Sequence, residues 1–132
     1  MKLEHIALWA ADLEKLREFY EQFFDAESNA KYFNARKQFT SYFLTFPGGA
    51  RLELMHRPDI PPNQNQPREQ YLGLIHFAFE LESKAGVAAK AEQLRAAGIP
   101  IIDGPRITGD GYFEFTLLDP ELNRVEVMCK NS

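Results

Sequence analysis

Two short runs, RLELM at 51–55 and RVEVM at 124–128, alternate polar and apolar positions and set a carboxylate at the centre of each. A period of two is the signature of a strand with one buried face. It puts Leu52 and Leu54 on one side and Arg51, Glu53 and Met55 on the other, and the second run repeats this with Val125 and Val127 opposite Arg124, Glu126 and Met128. The likeness extends upstream. Residues 41–55 lie over 114–128 without a gap, matching Leu44/Leu117, Pro47/Pro120, Arg51/Arg124, Glu53/Glu126 and Met55/Met128. With a change of offset, LEHIALW (3–9) lies over LIHFAFE (74–80), pairing His5 with His76 and Ala7 with Ala78. Between these strands the period changes to that of a helix. Leu13, Leu16, Tyr20 and Phe23 share one stripe over 12–24, with Asp12 as N-cap; Val87, Ala91 and Leu94 do so over 83–98, with Ser83 as N-cap and Gly98 and Pro100 as terminators. FPGG (46–49) and DPELN (119–123) read as hairpin connections. The pattern predicts a βαβββ unit written twice, the first over about 1–56 and the second over about 73–130, joined by a Pro- and Asn-rich linker over about 57–72.

The same alternation fixes which way the chemistry points. His5 shares a face with Leu3 and Ala7, opposite Ile6 and Leu8; His76 shares one with Leu74 and Ala78, opposite Ile75, Phe77 and Phe79. Each histidine and each central glutamate therefore lies opposite the apolar row a helix would cover, and two such sheets face to face would enclose a cleft lined by His5, Glu53, His76 and Glu126. Two neutral imidazoles and two carboxylates suit a divalent transition metal. A metal would also supply the positive charge that makes two buried carboxylates tolerable. A plainer reading stays open beside it: a mid-strand His as a hydrogen-bonded core residue, and a mid-strand Glu paired with Arg51 or Arg124. His56, at a strand end, reads as a rim or surface residue. Trp9, Phe43, Arg57, Tyr71, Tyr112 and Glu114 are candidate walls of the cleft, and GDGY (109–112) reads as a turn or a lid.

Composition narrows the class. A content of 45% hydrophobic and 13% aromatic residues is ample for a packed interior in a chain of 132. A net charge of −4 without any basic stripe argues against a nucleic-acid binder. The single cysteine, Cys129, excludes an internal disulfide and fits a reducing compartment. No run is apolar for long enough to suggest a membrane span or a signal peptide, so the expectation is a cytoplasmic protein without a membrane partner.

On HIALWAADLEKLREFYEQFF, GARLELM, LIHFAFEL, AEQLRAAGIP and LLDPELNRVEVM, the chain resembles the vicinal oxygen chelate superfamily: the glyoxalase I, bleomycin-resistance and extradiol dioxygenase group. The resemblance covers essentially the whole length as one domain. It implies an α+β fold of paired βαβββ units forming a half-open, mixed-sheet barrel, with metal ligands at His5, Glu53, His76 and Glu126. Nickel or zinc is the metal it implies first, with cobalt, manganese or iron as alternatives. The complete His/Glu/His/Glu set resembles that of glyoxalase I (lactoylglutathione lyase), and so implies a metal-dependent lyase or isomerase that moves a proton on a substrate chelated through neighbouring oxygens. In that scheme Glu126 is the base, with Glu53 its symmetry-related alternative. The substrate would be a small molecule, for example a glutathione adduct, and the assembly a homodimer. The alternatives within the superfamily are an extradiol dioxygenase, a fosfomycin-type antibiotic-modifying transferase, or a non-catalytic small-molecule binding protein.

Overall fold

The computed structural model describes residues 1–132, which divide into two compact units, Met1–Asn63 and Gln64–Ser132. The first runs β1 (His5–Trp9), α1 (Leu13–Phe24), β2 (Glu27–Ser28), β3 (Tyr32–Asn34), β4 (Phe39–Thr45) and β5 (Arg51–His56). Its sheet has the order β1-β5-β4-β2, with β3 also on β4. The second runs β6 (His76–Glu80), α2 (Lys84–Ala96), β7 (Ile101–Ile107), β8 (Tyr112–Leu118) and β9 (Arg124–Lys130), in the order β6-β9-β8-β7. Both sheets are mixed. β1 runs parallel to β5 and β6 parallel to β9, whereas the β4–β5 and β8–β9 hairpins are antiparallel. The fold is α+β with two repeats.

The helices start where their caps dictate. The Asp12 carboxylate accepts the Lys15 N–H at 3.0 Å, and the Ser83 hydroxyl accepts the Gly86 N–H at 3.0 Å. Helix α1 buries Leu13, Leu16, Phe19, Tyr20, Phe23 and Phe24. These pack with Tyr42, Leu44, Leu52 and Leu54 in the buried interior of the first unit, where each fully buried leucine contributes roughly 1.5–3 kcal/mol. The Tyr42 hydroxyl, the polar end of a buried ring, donates to Glu14 at 2.6 Å. Helix α2 buries only Val87, Ala91 and Leu94, and larger side chains of the sheet, Phe115 and Leu117 with Val125 and Val127, complete that interior. The DPELN turn is held by buried Asp119, whose carboxylate accepts the backbone N–H groups of Glu121 and Asn123 and the Asn123 side-chain amide. GDGY is a tight hairpin turn closed by the Thr108 N–H donating to the Tyr112 carbonyl at 2.7 Å.

The structure departs from the sequence pattern in two places. Strands β1 and β6 begin at the histidines, so Leu3 and Leu74 lie outside them and are exposed. The strand after the helix is one seven-residue strand in the second unit but two short ones in the first. There Asn29 interrupts the ladder: its side chain accepts the Phe43 N–H at 2.8 Å, and its own N–H donates to the Phe43 carbonyl at 3.0 Å. β7 instead carries two register shifts against β8. One spans Gly104, at φ +83, where an added Cβ would stand 2.6 Å from the Glu114 carbonyl oxygen.

Candidate functional site

Strand register builds the same small constellation in each unit. In the first, His5 pairs with Arg51 and Ala7 with Glu53 across β1–β5, while Phe43 of β4 faces Glu53 from the other side. In the second, His76 pairs with Arg124 and Ala78 with Glu126, while Thr116 of β8 faces Glu126. The neighbour beside each glutamate is an alanine, which leaves the carboxylate room above the sheet. Leu8, Leu52 and Leu54 are buried on the opposite face, as are Val125 and Val127, so all four candidate ligands stand on the faces away from the helices.

His5 Nε2 lies 3.7 Å from Glu53 Oε1, and His76 Nε2 lies 3.3 Å from Glu126 Oε1. The side chains match in exposure too, at 40% and 39% for the histidines and 19% and 22% for the glutamates. The structure thus brings the four together as two pairs; no group of three or more His, Cys, Asp or Glu side chains is gathered for a metal ion. The donor chemistry of each pair fits one. A separation of 3.7 Å is too long for a hydrogen bond. Nitrogen and oxygen donors bound about 2.1 Å from one ion stand roughly 3–3.5 Å apart, close to both spacings. Neither arginine neutralises the glutamates as a salt-bridge partner. Arg51 forks onto Glu4, Nε to Oε2 at 2.9 Å and Nη2 to Oε1 at 2.5 Å, and Arg124 donates to the carbonyls of Gln66 and Pro67.

The surroundings of the two pairs differ. Phe43 meets the His5 ring edge-on at 5.4 Å and lies beneath the Arg51 guanidinium at 4.1 Å. Trp9, on the same face as His5, stands edge-on to Phe39 at 6.1 Å, and the Arg57 guanidinium lies 5.2 Å from its ring centroid. In the second unit the corresponding neighbour is acidic. Glu114 of β8 is pushed above the ordinary carboxylate range, first by burial and then by its hydrogen bond with Glu126 and that group's charge, with Arg106 pulling the other way. Tyr112 alternates onto the Glu114 face at the start of β8, opposite Lys130. Tyr71 lies in the segment before β6, exposed, its hydroxyl donating to Glu69 at 2.5 Å. His56 has an architectural contact, Nδ1 at 2.8 Å from the Ala10 carbonyl.

Basic side chains near these faces are already paired: Arg57 with Asp59 at 2.8 Å, and Arg106 with Asp103 at 3.0 Å. Lys31 is paired with Glu14 at 2.8 Å beside Tyr42, on the helix side of the first sheet. Sequence patterning missed Glu4, which contacts His5 Nδ1 at 3.1 Å, and Phe39 beside Trp9. The signal for Glu4 was present in its adjacency to His5 and in the pairing of β1 with the strand that begins at Arg51.

A family model described as "Glyoxalase/Bleomycin resistance protein/Dioxygenase superfamily" matches residues 2–127. Among solved structures, the protein SMU.1112c superposes with a TM-score of 0.81 at 24% identity, over 97% of this chain and 98% of that one. The trypanothione-dependent glyoxalase I of Leishmania major does so with a TM-score of 0.78 at 19% identity, over 98% and 86%. The lactoylglutathione lyase of Agrobacterium tumefaciens is 27% identical with a TM-score of 0.67, over 96% and 91%. No curated protein matches the chain.

Proposed function

The chain belongs to the Glyoxalase/Bleomycin resistance protein/Dioxygenase superfamily, and from that premise we propose that it is a metal-dependent lyase or isomerase of the glyoxalase I type. The observation that carries this reading is the repeated pair, a histidine Nε2 facing a glutamate oxygen at 3.7 Å in one unit and 3.3 Å in the other, in equivalent register. The solved lactoylglutathione lyase and glyoxalase I that share the fold support it. His5 and His76 would hold a divalent transition metal, nickel or zinc first, through Nε2, and Glu53 and Glu126 through their carboxylates. When bound, such a metal supplies Lewis acidity toward two neighbouring oxygens of the substrate.

The chain's own part is proton transfer. Glu126 takes a proton from the substrate carbon and returns it at the next one. We assign the base to Glu126 rather than Glu53 because only Glu126 has a second acid, Glu114, hydrogen-bonded beside it. The substrate is a small molecule with vicinal oxygens. A glutathione adduct is the first to try, although the pairing of Arg57, Arg106 and Lys31 with acids leaves those three side chains ill placed to hold the tripeptide's carboxylates. Trp9, Phe39 and Phe43 favour a substrate with a flat apolar part, and so keep oxygen-dependent cleavage of an aromatic diol as the second reading. No helix is long and apolar enough to cross a membrane. We take the two units to act as one domain and the assembly to be a homodimer; sedimentation as a clean monomer at micromolar concentration would contradict the latter.

The test is metal analysis of the purified protein, followed by turnover of the methylglyoxal–glutathione adduct after loading with nickel, zinc, cobalt or manganese. Metal-dependent turnover abolished by chelation is expected. Oxygen uptake with iron(II) and an aromatic diol would select the second reading, and failure to bind any of these metals would refute both.

A further inference from the structure

The two histidines are equivalent in strand position but differ at the far ring nitrogen. His5 Nδ1 lies 3.1 Å from Glu4 Oε1, and the same carboxylate is gripped by both arms of the Arg51 fork. Arg51 in turn covers Phe43, whose ring meets His5 edge-on, so Glu4, Arg51, Phe43 and His5 form a closed ring of contacts. The residue in Glu4's place before His76 is Ile75, and the charged contact His76 makes is with Glu126. With no Glu4 counterpart, Arg124 turns to backbone carbonyls instead.

An ionised carboxylate can only accept, so the bond to Glu4 requires the proton of a neutral His5 to sit on Nδ1. The other tautomer would set the Nδ1 lone pair against a carboxylate and leave an N–H facing Glu53 across 3.7 Å, beyond hydrogen-bond reach. We infer that Glu4 is a positioning residue: by accepting the Nδ1–H of His5 it fixes the tautomer and ring orientation that turn the Nε2 lone pair toward Glu53. Histidines that bind metals commonly donate their other ring N–H to a carboxylate in this way, and losing that partner typically weakens metal binding 10- to 100-fold. At side-chain exposures of 40% and 49%, the contact contributes little to folding stability, so its effect is on the ring nitrogens.

The decisive measurement is long-range proton–nitrogen correlation of the imidazoles in metal-free protein, well above the usual histidine pKa of about 6.5. The expected spectrum has His5 protonated on Nδ1. In Glu4→Ala the Nε2-protonated form of His5 should appear while the His76 signals stay put. Arg51→Gln, which removes the surface ion pair but keeps the acceptor, should retain the Nδ1 proton. Because the consequence for metal rests on the proposed function, zinc titration is a separate arm, with affinity falling about 10- to 100-fold in Glu4→Ala. His5 protonated on Nε2 in the wild type, an unchanged tautomer in Glu4→Ala, or equal zinc affinity in the two proteins would each overturn the inference. A wild type that binds no zinc would count against the metal reading, and the tautomer result would still decide the role of Glu4.

Discussion

The two units share a skeleton of positions but differ in the side chains set around it. Ala7 and Ala78, Glu53 and Glu126, and Met55 and Met128 occupy matching places in register. Around them, Phe43 stands where Thr116 does, Trp9 where Glu80 does, and Ser41 where Glu114 does. The first unit therefore surrounds its His–Glu pair with aromatic rings and a neutralised arginine, and the second surrounds its pair with acids. Under the proposed function, the aromatic surroundings of the first unit would serve binding of an apolar group and the acidic surroundings of the second would serve proton transfer.

The largest expected difference between the two units lies at the glutamates. Glu126→Gln keeps the shape and one weak oxygen donor but removes the basicity, so turnover at saturating metal should fall at least about a hundredfold while the protein stays folded. Glu53→Gln should weaken metal binding similarly but cost less turnover. Steady-state kinetics at saturating metal decide it; equal losses would dissolve the asymmetry, and near-normal turnover of Glu126→Gln would move the base to Glu53.

A smaller effect tests the architecture of the second unit. Gly104→Ala combines positive φ with a Cβ driven to 2.6 Å from the Glu114 backbone carbonyl, and should cost about 1–3 kcal/mol in chemical denaturation. Gly98→Ala, with φ +77 but open space around the Cβ, should cost less. Similar costs would show that the close approach of β7 to β8 is relaxed in solution.

The smallest effect concerns acid stability. Hydrogen bonds from Lys31 and then Tyr42 hold Glu14 at about 2 against an ordinary 4.5. Since folding depresses this pKa, the stabilisation is present above about pH 4.5 and is lost as pH falls toward about 2. Glu14→Gln should flatten the stability profile in that window and leave the profile near neutral pH unchanged in slope. Glu4 and Asp59, also in the first unit, are held low by Arg51 and Arg57 respectively, so part of the acid slope should survive the substitution.

Much of this was legible in the sequence because alternation is a strong constraint. A strand with Leu52 and Leu54 buried has no choice about where Glu53 points, and the matching runs fold into β-hairpins of equivalent register. Both helices start at the cap residues the sequence offers. What escaped depends on contacts that periodicity does not encode. Arg51 had two acids within reach, Glu53 on its own strand and Glu4 on the neighbouring segment, and only the parallel pairing of β1 with β5 shows that it takes Glu4. The split of the first unit's second strand hinges on one asparagine amide replacing a ladder contact at Phe43. The acid pair of Glu114 and Glu126 arises on adjacent strands as diagonal neighbours, two residues apart in register on the same face.

The proposed function requires both His–Glu pairs to serve the same metal ion. Metal stoichiometry by elemental analysis and zinc titration, on the wild type, His5→Ala and His76→Ala, tests it most directly. One ion per chain is expected in the wild type, with stoichiometric binding lost in each variant. Two ions per chain, or full binding retained by both variants, would contradict it.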